Sequence, residues 1–309
     1  MNGQSLAKAY YLTYGKNMIE SEYPEYVDRI AVGLVGDGSE AFGYDDEISR
    51  DHDFGPKFCM WLTDEDYEKI GDDLNRRYHE LPAEFEGFSR QGNMVHSAGR
   101  HGVRRISEFY ATYTGSPEGP VEWRDWFRVP THLFAACTNG VVFRDPLGEF
   151  TRIRSHLQNG MPMDVRRKKL AAKVFAMAQS GQYNFVRCLG HHEPAAAQMA
   201  LYEFVKACVE TIYLLNNAHC PYYKWMFRGL RNLPLLSNLE KPLRELLVDS
   251  ADDAMKTFEK IEYISTRVGK ELVRLGYSGL TCDYLEPHAY EIQNSIEDEE
   301  IRVLPISFG

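Results

Sequence analysis

Apolar positions along this chain follow two rhythms. Over residues 5–22 apolar and aromatic side chains recur at helical spacing and Pro24 closes the segment, which predicts a leading helix packed on a sheet. Residues 29–35 then form a short apolar run that reads as a buried strand. A second apolar run over residues 58–62 predicts another strand, continuing back through Asp53 and Asp51. Thr63 followed by Asp64, Glu65 and Asp66 supplies an N-cap and first-turn acids, so a helix is expected to about Leu81. Residues 88–101, rich in Gly, Ser and Arg, read as loop. Residues 103–108 read as a third strand, and Ser107 could open a short helix through Tyr113.

The Gly, Ser and Pro of residues 115–120 interrupt the pattern, and beyond Trp123 the spacing turns helical: residues 164–180, 194–217, 239–247 and 251–275. In the second of these, Met199, Phe204, Val205, Cys208, Ile212 and Leu215 recur at three- and four-residue steps, the face of a packed helix rather than a cofactor stripe. The expected fold class is therefore α+β, an N-terminal mixed sheet flanked by helices followed by a C-terminal helical bundle.

Composition adds limits. A chain of 309 residues with 44% hydrophobic and 26% charged content has room for two globular domains, each with its own core. It contains no apolar run of membrane-spanning length and no secretory-signal pattern at its start, so a cytoplasmic protein is expected. Cys59, Cys137, Cys188, Cys208, Cys220 and Cys282 show no paired or zinc-type spacing and read as free thiols. A net charge of −10 argues against a broad nucleic-acid grip. Basic residues cluster at 100–105 and 152–169, best read as solvated faces, though either could line a polyanion path.

The chemistry concentrates between the first two strands. Gly36 and Gly38 let the backbone turn sharply and approach a ligand closely, and Ser39 adds a hydroxyl where a helix start would offer free N–H groups to a phosphate. Asp51 and Asp53 stand two apart, which in an extended strand sends both carboxylates to one face. Two such carboxylates repel unless a cation lies between them, and Mg²⁺, which takes one or two carboxylates together with substrate phosphates, suits them. His52 would point to the other face as a packing residue. His191 and His192 are adjacent, point apart on most backbones and precede Pro194, so they read as structural.

In this order the Gly-Ser turn and the Asp-x-Asp pair resemble the signature of polymerase-β-type nucleotidyltransferases. Taken with residues 181–187 (Gly-Gln-Tyr-Asn-Phe-Val-Arg), Leu215-Asn216-Asn217 and Pro221-Tyr222-Tyr223-Lys224-Trp225, the chain resembles DUF4037, a family of predicted nucleotidyltransferases. The resemblance implies a nucleotidyltransferase-like catalytic domain over residues 1–120 and a mainly helical substrate-binding domain over 121–309 that covers the acceptor. It implies that Gly38 and Ser39 hold phosphates, that Asp51 and Asp53 bind Mg²⁺ in a one- or two-metal site, and that Lys224 meets the triphosphate as a point charge. Arg187 would grip a phosphate or acceptor anion, or pair with an acid between helices. Tyr222, Tyr223 and Trp225 would stack a base or pack an interdomain seam.

Relatives of that kind carry a third carboxylate on a neighbouring strand; here arginines occupy the expected strand and Glu108 is the nearest acid, with Asp145 and Glu122 further off. The implied activity is Mg²⁺-dependent transfer of a nucleoside monophosphate from a nucleoside triphosphate to a hydroxyl or phosphate acceptor, with release of pyrophosphate. The acidic charge favours a small-molecule acceptor over nucleic acid. A nucleotide sensor without turnover, or a toxin-like modifier of protein or tRNA, are the alternatives.

Overall fold

A computed structural model describes residues 1–51, 54–90, 100–248 and 253–309, the side chains of Arg50 and Asp51 excepted. The chain divides into two compact units, Met1–Gly160 and Met161–Gly309.

The first unit opens with α1 (Gly3–Tyr10), capped by the Asn2 side chain, which accepts from the Ser5 N–H. A π turn (Tyr11–Gly15) joins it to α2 (Lys16–Glu22), and a 3-10 turn (Pro24–Arg29) leads into β1 (Ala31–Leu34). After β1 come a single helical turn, α3 (Ser39–Phe42), a 3-10 turn (Ile48–Asp51) and β2 (Cys59–Leu62). Helix α4 (Asp64–Glu80) starts where Thr63 accepts from the Asp66 N–H, as the acid-rich cap predicts. A two-residue-per-strand hairpin, β3 (Glu84–Phe85) and β4 (Phe88–Ser89), precedes β5 (Gly102–Arg105) and α5 (Ile106–Thr114). Helices α6 (Asp125–Arg128) and α7 (Thr131–Thr138), strand β6 (Val141–Arg144) and helix α8 (Glu149–Asn159) complete the unit.

Four strands make one mixed sheet in the order β5-β2-β1-β6. β2 and β6 run antiparallel to β1, and β5 runs parallel to β2. Both faces are covered, which is why β1 and β2 are buried at every position rather than alternating. Phe58, Met60 and Leu62 pack with Tyr10, Tyr11, Leu74 and Tyr78. From the other face Trp61 stacks on Phe150 of α8, ring centroids 4.1 Å apart, and meets Phe109 of α5 edge-on. Burying side chains of this size contributes about 2–3 kcal/mol each.

Three expectations change. The strand predicted through Asp51 begins only at Cys59: Asp51 closes a 3-10 turn, and Pro56, which has no N–H for a ladder, lies between. The third strand stops at Arg105, so Glu108 belongs to α5 and not to the sheet. A strand also occurs beyond Trp123, where only helices were expected; because β6 pairs with β1, the first unit continues past residue 120 to Gly160.

Among its described residues the second unit has only helical regular elements: α9 (Met163–Met177), a π turn (Ala178–Asn184), α10 (Phe185–Gly190), α11 (Pro194–Leu215), α12 (Tyr223–Leu230), a 3-10 turn (Ser237–Leu239), α13 (Glu240–Val248), α14 (Ala254–Arg274), α15 (Leu285–Asn294) and α16 (Glu299–Arg302). The stripe foreseen on α11 supplies Phe204, Val205, Cys208, Ile212 and Leu215 to its core, whereas Met199 is exposed. Lys168 is fully buried, its ammonium donating to Gln293 Oε1 at 2.9 Å and to the carbonyls of Pro305 and Ile306 at 2.8 and 3.2 Å. No helix among the described residues is long and apolar enough to cross a membrane.

Burial pushes the Lys169 ammonium down to about 8, with Lys173 adding repulsion and Glu210 opposing the shift. The unfolded chain therefore binds the extra proton between about pH 8 and 10.5, and this lysine lowers stability most below pH 8. Lys169→Met removes that dependence. The stability of the variant relative to wild type is expected to fall as pH rises from 8 to 10.5, measured by denaturant unfolding at several pH values; a difference that stays flat would contradict the assignment.

Candidate functional site

Directly after β1 the backbone enters two left-sided turns, with φ of 128° at Gly36 and 113° at Gly38, values that a side chain would strain. Asn139 fixes the first of them from both sides: the Gly36 N–H donates to its Oδ1 at 3.0 Å and its Nδ2 donates to the Gly36 carbonyl at 2.7 Å. Tyr113 on α5 donates to Asp37 Oδ2 at 3.2 Å; burial, then the Asp37 charge, push its hydroxyl well above the usual tyrosine range. The Ser39 hydroxyl has no hydrogen-bond partner among the described residues. Helix α3 is a single turn, so the half-buried bend itself, rather than a helix macrodipole, is what Gly38 and Ser39 present.

Asn139→Asp keeps the acceptor for the Gly36 N–H but replaces the donor to the Gly36 carbonyl with a second oxygen. Leaving that buried carbonyl unpaired is expected to lower stability by about 1–3 kcal/mol, read by chemical denaturation.

Strand directions decide what surrounds this bend. Gly33 pairs with Cys59, Cys59 with Gly102 and Leu34 with Val141. One end of the sheet therefore gathers the exit of β1, the entry to β2, the entry to β5 and the Asn139-Gly140 turn. Lys57, just before β2, reaches across to Glu40, just after Ser39, with Nζ 2.6 Å from Oε1 and both side chains almost fully buried. The segment that follows Asp53 is packed as well: Phe54 meets Phe88 edge-on, and the Gly55 Cα lies close enough to Ser89 and Arg90 that a Cβ would clash with their backbone. Asp45 accepts from the Gly3 N–H at 3.0 Å, tying the loop after α3 to the start of α1.

The predicted site residues separate as follows. Gly38 and Ser39 stand at the bend. The backbone of Asp51 belongs to the turn that leads towards β2, while its side chain and all of Asp53 lie outside the described residues. Glu108 does not join them. It sits in the first turn of α5, after the end of β5 that faces Leu62, opposite the bend, and pairs with Arg105 at 3.4 Å; Arg105 also reaches Glu68. Arg187, Tyr222, Tyr223 and Lys224 belong to the second unit and are exposed. Arg187 lies over the Tyr183 ring at 5.1 Å, Lys224 over the Trp225 ring at 5.0 Å, and the rings of Tyr222 and Tyr223 are 4.3 Å apart. Among the described residues no group of three or more His, Cys, Asp or Glu could hold a metal ion.

Sequence reasoning passed over Asn139, Glu40 and Lys57. Signals for two of them were present: Asn139-Gly140 before Val-Val-Phe is a turn-and-strand pattern, and Lys57 is the one cation in the apolar stretch 54–62. Glu40 carried no local signal.

Residues 126–226 match the family described as Domain of unknown function (DUF4037). The matched segment runs from α6 to α12; it contains Asn139, Arg187, Tyr222, Tyr223 and Lys224 and leaves out the bend and Asp51. No curated protein and no solved structure matches the chain.

Proposed function

We propose that the first unit binds the polyphosphate tail of a nucleoside triphosphate together with Mg²⁺ at the bend end of its sheet, and transfers the nucleoside monophosphate to a hydroxyl or phosphate acceptor with release of pyrophosphate. The observation that carries this reading is the convergence of two segments. The Gly36–Ser39 bend and the chain that enters β2 after Asp51 meet at one end of the sheet, joined by Lys57 and Glu40.

The residues suit the metal as a donor set. Asp51 and Asp53 offer hard carboxylate oxygens, whereas Glu40 is engaged by Lys57 and Asp45 by the backbone of Gly3. When bound, Mg²⁺ would supply charge neutralisation for the triphosphate and its leaving group. The chain's own part is orientation. Backbone at Gly38 and the Ser39 hydroxyl would hold the β- and γ-phosphates, and the Asn139 brace would keep the bend in place before ligand arrives, so that little reorganisation accompanies binding.

A second reading, a nucleotide sensor without turnover, is favoured by the position of Glu108 at the opposite end of the sheet in an ion pair with Arg105. Calorimetry with Mg²⁺ and each nucleoside triphosphate, beside pyrophosphate release over a panel of small-molecule, protein and RNA acceptors, distinguishes them. Binding with turnover supports transfer, binding without it supports the sensor, and no binding rejects both.

A further inference from the structure

A short ion pair that water hardly reaches is an unusual way to join two loops. Glu40 follows Ser39 immediately, and Lys57 lies two residues before β2; their side chains are 7% and 4% exposed. Stripping water from both charges is costly, and leaving either one alone in that place is costlier still, so the two must stay together whenever this part of the chain is folded. An apolar contact in the same position would tolerate sliding. A charge-assisted hydrogen bond of 2.6 Å does not.

The glutamate is held from its other sides too. A Cβ at Gly3 would lie 2.2 Å from the Glu40 Cβ, so α1 presses on it directly. A Cβ at Gly38 would lie 3.2 Å from its carboxylate, so that carboxylate sits against the bend itself. Lys57 therefore acts on the bend through Glu40, and the bend acts on the entry to β2 through the same bond.

We propose that Glu40 and Lys57 are positioning residues of the polyphosphate site, a cross-tie that sets the spacing between the Gly38–Ser39 bend and the chain entering β2, and that neither touches nucleotide itself. This rests on the nucleotide reading above and goes beyond it in assigning two buried residues outside the expected ligand set. Three variants test it: Glu40→Gln, Lys57→Arg, and the double Glu40→Gln/Lys57→Met, in which both charges of this pair are removed together.

Amide hydrogen exchange at residues 36–41 and calorimetric affinity for Mg²⁺-ATP are the two readouts. The double variant is expected to speed exchange in the bend and to weaken Mg²⁺-ATP affinity, each by about tenfold, with the amides of β2 unchanged; Lys57→Arg, which retains the charge, is expected to stay near wild type. Glu40→Gln, which takes the carboxylate away from the buried Lys57 ammonium, should lose at least as much as the double variant. Unchanged exchange and unchanged affinity in the double variant overturn the positioning role while leaving the nucleotide reading intact. A wild-type protein that binds no nucleotide sinks that reading, and the exchange result then judges the cross-tie on its own.

Discussion

Replacing Asp51 and Asp53 together by asparagine is expected to abolish Mg²⁺-dependent pyrophosphate release, a loss on the order of 10³-fold or more, while the fold persists. Asparagine keeps the size of each side chain and removes both negative charges. A hard divalent cation gains most of its attraction from carboxylate oxygens, so under the proposed function the metal and the triphosphate it accompanies would lose their common anchor. Stability should not suffer, because two carboxylates brought together as proposed would repel when no cation is present, and their removal would relieve that repulsion. Pyrophosphate release measured beside a melting curve checks both halves of the expectation. Turnover at the wild-type rate in the double variant would remove the proposed centre.

Gly140→Ala is expected to destabilise the first unit by about 3–4 kcal/mol, or a melting temperature lower by about 10 °C. Two effects add. Gly140 has φ 68°, where a side chain costs about 1–2 kcal/mol, and the new Cβ would lie 2.0 Å from the Leu34 carbonyl oxygen and 3.1 Å from the Val35 Cα. Those are backbone atoms of β1 and its exit, so no change of rotamer relieves the clash; β6 or the bend has to move, and the Asn139 brace on Gly36 moves with it. Gly148→Ala separates the two effects. It has φ 75° with open space around it, and should cost only the conformational part, about 1–2 kcal/mol. Equal losses at the two positions would show that the contact with β1 carries no weight.

Much of this architecture is local enough to be read along the chain. The α4 cap at Thr63, the stripe on α11 and the glycines that force the bend each depend on a few neighbouring residues, and each occurs where the pattern places it. Strand β6 escaped because residues 141–144 are short and paired with a partner more than a hundred positions away, so their conformation is settled by β1 and not by their own period. Glu108 misled for a related reason. Proximity in sequence to an expected strand said nothing of which end of the sheet that residue would occupy, and parallel pairing of β5 with β2 put it opposite the bend.

The sequence by itself determined that a buried strand ends in a glycine bend with a serine, that a pair of aspartates follows it, and that helices dominate the later part, because backbone freedom and side-chain periodicity are properties of neighbouring residues. Only the tertiary structure decided that Asn139 braces that bend, that Lys57 reaches Glu40, and that Glu108 stands away from it. Those relations follow from strand direction and from the need of each buried charge or amide to find a partner, and such partners are chosen in space, across stretches of chain that carry no common pattern.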